Sequence, residues 1–429
     1  MFAASLLLAA TSVSAGAIGC SGHHIGTRNH GMGNPHYTRA YDPATLDVAA
    51  QCVPYNYEPV ASIINDFPPN WAPATLVAGD DEAAALFQEL NQTLASKVGN
   101  VSIKVGTMGD FSGYQYDNAA DPDCWWTRSR CTQPKDQTIP ADIRQLPEPN
   151  TWGFGYDDGP NCSHNALYNF MAENKQLATM FFIGSNVMNW PLQAKRAKDD
   201  GHEMCIHTWS HSAMTTLTNE QAFAELYYTR AAIKAVTGVT PKCWRPPYGD
   251  VDNRIRVIAG FLNLTNILWS DDTFDWQEGT QNVTAETIKN NYQKVFDKAK
   301  NGEYNTHGAI VLNHESNNRT MQHMIDQYAQ IKQNFKYIVP IASGMNWTTP
   351  YVETNETYPD FNQYISGQLV GGPVSSGSGN SPGSTMTGSG AAAASSAAAP
   401  SGSAKPSSAT RTTAAGILVF VGAAAAMLI

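Results

Sequence analysis

Charge is scarce in this chain. Of 429 residues, 27 are Lys or Arg and 37 are Asp or Glu, so charged residues make up 15% against about 25% in an average globular protein. The formal net charge is −10. So few cations exclude a uniformly basic surface for gripping phosphates, and no nucleic-acid partner is expected. No Cys-x-x-Cys pair occurs, which excludes a thiolate metal clip. Residues 371–413 lack aromatic side chains and carry two charges, Lys405 and Arg411. Such a segment cannot bury enough apolar surface to offset the ordering of its backbone, and it reads as a disordered Ser/Gly/Ala-rich stalk. Wholesale disorder is excluded by the 42% of apolar residues. At roughly 150 residues per domain, the length allows two or three domains.

The ends carry the long apolar runs. Residues 2–10 (FAASLLLAA) precede the small residues Ser14, Ala15 and Ala17. Residues 1–17 therefore read as a secretory signal, although no Lys or Arg leads the run. Residues 414–429 are charge-free and shorter than the roughly 20 residues of a spanning helix. Small residues Ser401, Gly402, Ser403 and Ala404, a polar spacer to Thr413 and this tail make the pattern of a GPI-attachment signal, with those four as candidate lipidation positions. A plain tail anchor is the alternative. The expectation is a secreted monomer tethered to the membrane at the outer face of the cell. Eight Asn-x-Ser/Thr sequons, at Asn91, Asn100, Asn161, Asn263, Asn282, Asn318, Asn346 and Asn355, point to a glycoprotein. Seven cysteines in an oxidising compartment should partly pair. Cys124 and Cys131 flank a short loop and form the expected bridge; the pairing of Cys20, Cys52, Cys162, Cys205 and Cys243 stays open.

Residues 18–148 read as an irregular N-terminal extension. His23, His24, His30 and His36 fit a solvated arm better than a metal site, and a helix is expected over 80–96 with Leu86, Leu90 and Leu94 in register. From Thr151 the pattern becomes regular. Strands are expected at 151–157, 178–183, 202–206, 242–245, 266–270, 308–313 and 336–341. Helices are expected near 163–176, 190–200, 219–237, 252–263, 284–300 and 320–334. In the 219–237 segment Ala222, Leu226, Thr229, Ile233 and Val236 share one face. Strand–helix alternation implies an α/β fold with a parallel sheet. Seven strands suit a slightly short, distorted (β/α) barrel over 149–343, followed by a wrap over 344–370. An open doubly wound sheet is the alternative.

Five clusters fall at the C-terminal ends of these strands, where β/α barrels assemble active sites. They are Asp157-Asp158-Gly159-Pro160, His207-Thr208-Trp209-Ser210-His211, Arg245-Pro246-Pro247-Tyr248-Gly249-Asp250, Asp272-Thr273-Phe274-Asp275-Trp276 and Leu312-Asn313-His314. Two His at i and i+4 present both imidazoles on one side of a turn. A carboxylate from another strand completes a three-ligand site suited to one divalent ion such as zinc, cobalt or manganese. Of two adjacent carboxylates, one can ligate while the other serves as a base held by a cation such as Arg245. A His oriented by an Asp is a natural general acid. Each cluster alone is commonly a turn, a bend or a satisfied histidine. Their ordered conjunction on one face suits hydrolysis of an amide.

The ordered clusters resemble the motifs of the NodB-like polysaccharide deacetylases, carbohydrate esterase family four, over roughly residues 149–343. The stretches DDGPNCS, GHEMCIHTWSH, WRPPYGD and Cys-Trp-Trp-Thr-Arg (124–128) are similar to the fungal chitin deacetylase branch. The resemblance implies removal of N-acetyl groups from chitin in the cell wall, giving chitosan and acetate. Matched motif by motif, it implies Asp157 as general base and substrate contact, and Asp158, His207 and His211 as metal ligands. Arg245 would orient Asp157, and the Tyr248 backbone N–H would meet the oxyanion. Asp275 would tune His314, the general acid, and Trp276 and Leu312 would wall the acetyl methyl. Gly155 stands where the family usually has Thr, and Asn313 where Thr is frequent. Alternatives are a peptidoglycan or acetylxylan deacetylase, and a catalytically silent wall-binding protein. Trp125, Trp126, Trp209 and Trp276 are aromatic residues able to stack on sugars.

Overall fold

The computed structural model describes residues 41–99, 101–280 and 282–367. The expected signal (1–17), the His-rich arm, Cys20, Asn100, the stalk, Ser401, Gly402, Ser403, Ala404 and the apolar tail lie outside the described residues. Among the described residues no helix is long and apolar enough to cross a membrane.

Ten strands are described: β1 (Gln145–Leu146), β2 (Thr151–Gly153), β3 (Gly155–Gly159), β4 (Thr179–Phe182), β5 (Glu203–Ile206), β6 (Cys243–Trp244), β7 (Thr265–Asn266), β8 (Asp271–Asp272), β9 (Gly308–Leu312) and β10 (Tyr337–Val339). The main helices are α1 (Asp81–Lys97), α2 (Asn165–Glu173), α3 (Gly184–Asn189), α4 (Pro191–Asp199), α5 (Asn219–Thr237), α6 (Asn253–Phe261), α7 (Ala285–Lys300) and α8 (Asn318–Asn334). Strand–helix alternation is therefore present, with parallel pairing except where β1 runs antiparallel to β9.

The expected closed barrel is not what the described strands form. They make two five-stranded sheets, β3-β4-β5-β6-β7 and β1-β9-β2-β10 with β8 also on β9. The expected first strand, 151–157, breaks at Phe154. The Phe154 N–H donates to Val339 O, while the Phe154 carbonyl accepts from Thr179 N, so the chain changes sheets at this residue. Gly155 permits the change, because a Cβ there would sit 2.8 Å from the Thr179 carbonyl. The sheets meet through single bridges, Asp157 with His314 and Ile143 with Ile267, rather than ladders.

Alternation along each strand divides the core in two. Phe181, Cys205, Cys243 and Ile267 of one sheet cluster with Leu146, Ile310 and Val339 of the other. Met180, Phe182, Met204, Ile206 and Trp244 point the opposite way, into the cluster that includes Leu226, Ile233 and Ile258 of the helices. On α5 the expected apolar face is buried throughout. A Thr218–Gln221 capping box starts this helix, and Gly238 at φ 82° ends it.

The extension is fastened to this body by buried charge. The Arg256 guanidinium on α6 donates to both Asp142 carboxylate oxygens (2.9 and 2.6 Å) and to the carbonyls of Cys124 (2.6 Å) and Cys131 (3.0 Å). Lys104, also buried, pairs with Asp123 and Asp252. Among the described residues three disulfides form: Cys124–Cys131, Cys205–Cys243 inside the inter-sheet cluster, and Cys52–Cys162 between the extension and the turn after β3. Removing one member of a buried pair strands the other charge. Arg256→Ala should therefore cost about 3–5 kcal/mol in denaturant unfolding; a loss below ~1 kcal/mol would show that the extension is held by other means.

Candidate active site

The five clusters converge where β3, β5, β6, β8 and β9 end. Reaching that point requires unusual backbone. Asp158, Thr208, His211, Tyr248 and Phe274 all take positive φ, between 54° and 74°. Such residues gather where the surrounding structure over-determines the chain, and in this protein they aim side chains that a regular strand end would point elsewhere.

Asp157 and its neighbour point to different partners. Arg245 Nη1 donates to Asp157 Oδ1 at 2.6 Å, and both residues are buried. Arg245 Nε donates to the Ile267 carbonyl at 3.0 Å, and its guanidinium carbon lies 3.9 Å from the centre of the Phe181 ring. Asp158 Oδ1 instead faces His207 Nε2 at 3.4 Å and His211 Nε2 at 3.2 Å. Burial pushes the Asp158 carboxyl up, but the neighbouring His211 and His207 outweigh it and hold the group well below the usual carboxylate range. His207 Nδ1 lies 2.8 Å from the Arg245 carbonyl. A proton on that nitrogen satisfies the carbonyl and leaves Nε2 as a lone-pair donor.

The chemistry of this donor set fits a divalent cation. One carboxylate oxygen and two imidazole nitrogens lie within 4.8 Å of one another. Asp158 Oδ1 is buried without a hydrogen-bond partner, so a ligand lone pair is left unmatched at the convergence point. Among the described residues two other His/Cys/acid clusters occur, and they do not compete, because Cys124, Cys131, Cys205 and Cys243 are all in disulfides.

His314 sits on the other side of Asp157, to which it is bridged. Asp275 grips it twice: Oδ1 lies 2.6 Å from Nδ1, and Oδ2 accepts the His314 backbone N–H at 2.8 Å. Burial pushes the imidazole down, but the Asp275 charge and hydrogen bond prevail and raise it to about 10. Leu312 is buried beside it on β9, and Trp276 is 48% exposed.

A family model described as polysaccharide deacetylase matches residues 144–267. That span holds Asp157, Asp158, His207, His211, Arg245 and Tyr248, and ends before Asp275, Trp276, Leu312 and His314. The chain is 55% identical over 372 residues to chitin deacetylase 2 of Cryptococcus neoformans var. grubii serotype A, covering 85% of this chain and 81% of that one. This chain belongs to the polysaccharide deacetylase family. Chitin deacetylase of Amylomyces rouxii is 42% identical over 318 residues, 73% of this chain and 74% of its own. The solved chitin deacetylase of Colletotrichum lindemuthianum is 24% identical with a TM-score of 0.43, covering 49% of this chain and 95% of that one.

Within this deacetylase chain the two departures from the family motif have local causes. Gly155 leaves no room for a side chain against β4. Asn313 is buried and accepts from Tyr292 O–H at 2.7 Å. Of the four tryptophans considered for sugar stacking, Trp125, Trp126 and Trp209 are buried. Trp125 packs edge-on against Phe111, and Trp209 stacks on Phe67. Asn91, Asn263, Asn282, Asn318, Asn346 and Asn355 are exposed. Asn161 differs: its Nδ2 donates to Ser316 O at 2.7 Å and its Oδ1 accepts from Ser163.

Three buried carboxylates brace the site; the sequence named Asp250 only as the end of the Arg245–Asp250 cluster, without a role, and Glu225 and Glu315 went unrecognised. Glu225 on α5 accepts from the N–H groups of Trp209 (2.7 Å) and Ser210 (2.8 Å), bracing the His207–His211 loop, and from Ala74 of the extension (2.8 Å). Asp250 accepts from Trp125, Thr127 and Thr215. Glu315 accepts from Asn161 N and Tyr168 O–H, and burial raises its carboxyl to about 8. A signal existed for Glu225, an acidic residue inside the apolar face of α5; Glu315 offered none.

The His314–Asp275 pair has a pH signature. Its folded value lies above the ordinary histidine value of about 6.5, so its stabilisation is complete below that pH and lost as pH rises through about 10. An NMR titration of metal-free protein should show His314 protonated to about pH 10, and Asp275→Asn should bring its midpoint below ~7. A wild-type midpoint near 6.5 would contradict the coupling.

Proposed function

We propose that this chain is a metal-dependent chitin deacetylase that hydrolyses N-acetyl groups of N-acetylglucosamine residues to give chitosan and acetate. The observation that carries the reading is the division of labour between adjacent carboxylates. Asp157 is committed to Arg245, and Asp158 to two imidazoles. Relatives named chitin deacetylase at 55% and 42% identity support the substrate class.

Asp158, His207 and His211 would hold one divalent ion, zinc, cobalt or manganese. When bound, such an ion supplies a Lewis acid that polarises the acetyl carbonyl and acidifies water. The rest of the work belongs to the chain. Arg245 holds Asp157 by Oδ1, so that Oδ2, 3.8 Å from His207 Nε2, faces the ligand side and can take a proton from the attacking water. Pro246 and Pro247 lack N–H groups, so the first backbone donor after Arg245 is Tyr248, which suits the developing oxyanion. His314, kept charged by Asp275, gives its proton to the amine nitrogen as the C–N bond breaks, and acetate retains the water oxygen. Trp276 and Leu312 suit the acetyl methyl.

The location follows the same reading: a secreted enzyme acting on chitin at the wall, with a stalk and lipid anchor. The terminal patterns, the sequons and the three disulfides support it.

Acetate release on chitin oligomers, fully deacetylated chitosan and acetylxylan tests the substrate. Release from chitin oligomers well above the other two is expected, and preference for acetylxylan would replace this reading. His207→Ala should lose bound metal and acetate release with its circular dichroism intact. His314→Ala should keep its metal and turn over roughly 10²–10⁴-fold more slowly. Wild-type turnover by either variant would remove that residue's role.

A further inference from the structure

We propose that the turn around Met108, in the extension and outside the matched deacetylase region, forms a subsite for a sugar ring of the chitin chain beyond the reacting ring and its immediate neighbour; this rests on the reading above. The turn closes through two backbone hydrogen bonds between Thr107 and Asp110, 3.0 and 2.8 Å long. Its flanks are firmly seated. On one side Lys104 is buried against Asp123 and Asp252, and its backbone N–H donates to Thr215 O. On the other side Phe111 is buried edge-on against Trp125. Arg128 Nη1 ties the carbonyls of Phe111 and Tyr114 together at 3.2 Å each.

What this seating presents to solvent is apolar. Val105 is 76% exposed and Met108 74%. Keeping apolar side chains exposed on an anchored turn marks a surface that meets something. Its position says what. Gly109, at φ 81°, lies flat on the Tyr248 ring, where a Cβ would come within 2.8 Å of Cγ. That ring is 4.8 Å from the His211 ring, edge to face. The turn is therefore one residue removed from a metal ligand. It lies on the His211 side of the site, whereas Trp276 and Phe274, both exposed, follow the strand next to His314.

A polymer lying across the site would meet Trp276 at one end and Met108 at the other. The chemistry suits a pyranose ring. Met108 and Val105 offer apolar contact to its C–H face, and the exposed side chains of Thr107 and Asp110 flank Met108 with groups for its hydroxyls. Ile103, 44% exposed, extends the apolar surface, but three such side chains remain too few for a stable protein interface, which buries about 800 Å² per partner.

The test uses the full-length enzyme carrying Val105→Ser and Met108→Ser together, with acetate release measured on the chitin dimer and hexamer. The hexamer reaches the turn and the dimer does not, so the ratio of kcat/KM on hexamer to that on dimer should fall about five- to ten-fold, mostly through KM. An unchanged ratio overturns the subsite, whether both rates fall together, as for a merely structural turn, or neither moves, as for a surface that docks another macromolecule. Failure of the wild type to deacetylate either oligomer would overturn the underlying reading and the subsite with it, whereas an active wild type with an unchanged ratio overturns the subsite alone.

Discussion

One guanidinium organises the site. Arg245 is buried, and burial lowers its pKa while Asp157 works to keep it charged. Its side chain fixes Asp157, 88 residues earlier in the chain, and its own carbonyl receives His207. The same residue thus sets the orientation of the proposed base and of a proposed metal ligand. The order β3-β4-β5-β6 makes this possible, since it puts Asp157, His207 and Arg245 at the ends of strands in one sheet. A buried pair of this kind is weak evidence for stability, because desolvation offsets the attraction. Its value lies in leaving each group one place to point.

The same economy recurs behind the loops. Glu225, Asp250 and Glu315 each take two or more donors from loop backbones and neighbouring side chains. A loop at a strand end has orphan N–H groups, and a buried carboxylate satisfies several at once. Two of these carboxylates also accept from the extension, through Ala74 and through Trp125 and Thr127. With Cys52–Cys162 pinning the turn after β3, residues 41–146 act as part of the scaffold that positions the chemistry.

The legible parts of this structure are those encoded by period and residue type. The α5 segment matches its expected bounds because its 3.6-residue apolar stripe is uninterrupted and its caps are explicit. The site clusters stood out because paired His, paired Asp and an Arg-Pro-Pro-Tyr bend are costly residues to place at strand ends by chance. Sheet closure was illegible, since the switch at Phe154 depends on which carbonyl each N–H finds, and no local pattern records that. Nor could periodicity separate Trp276, which is exposed, from Trp125, Trp126 and Trp209, which are buried in contacts with distant residues. Cys52 and Cys162 are 110 residues apart, and only tertiary packing pairs them.

The central claim is that Asp158, His207 and His211 act together on one cation while Asp157 and His314 move protons. Its most direct test is a titration of chelator-stripped wild-type protein with zinc, cobalt or manganese, following acetate release from chitin hexamer at each addition. Activity should be absent in the stripped protein and return linearly, with its break at one equivalent of metal. Full turnover without metal, or a break at two equivalents, would contradict the account.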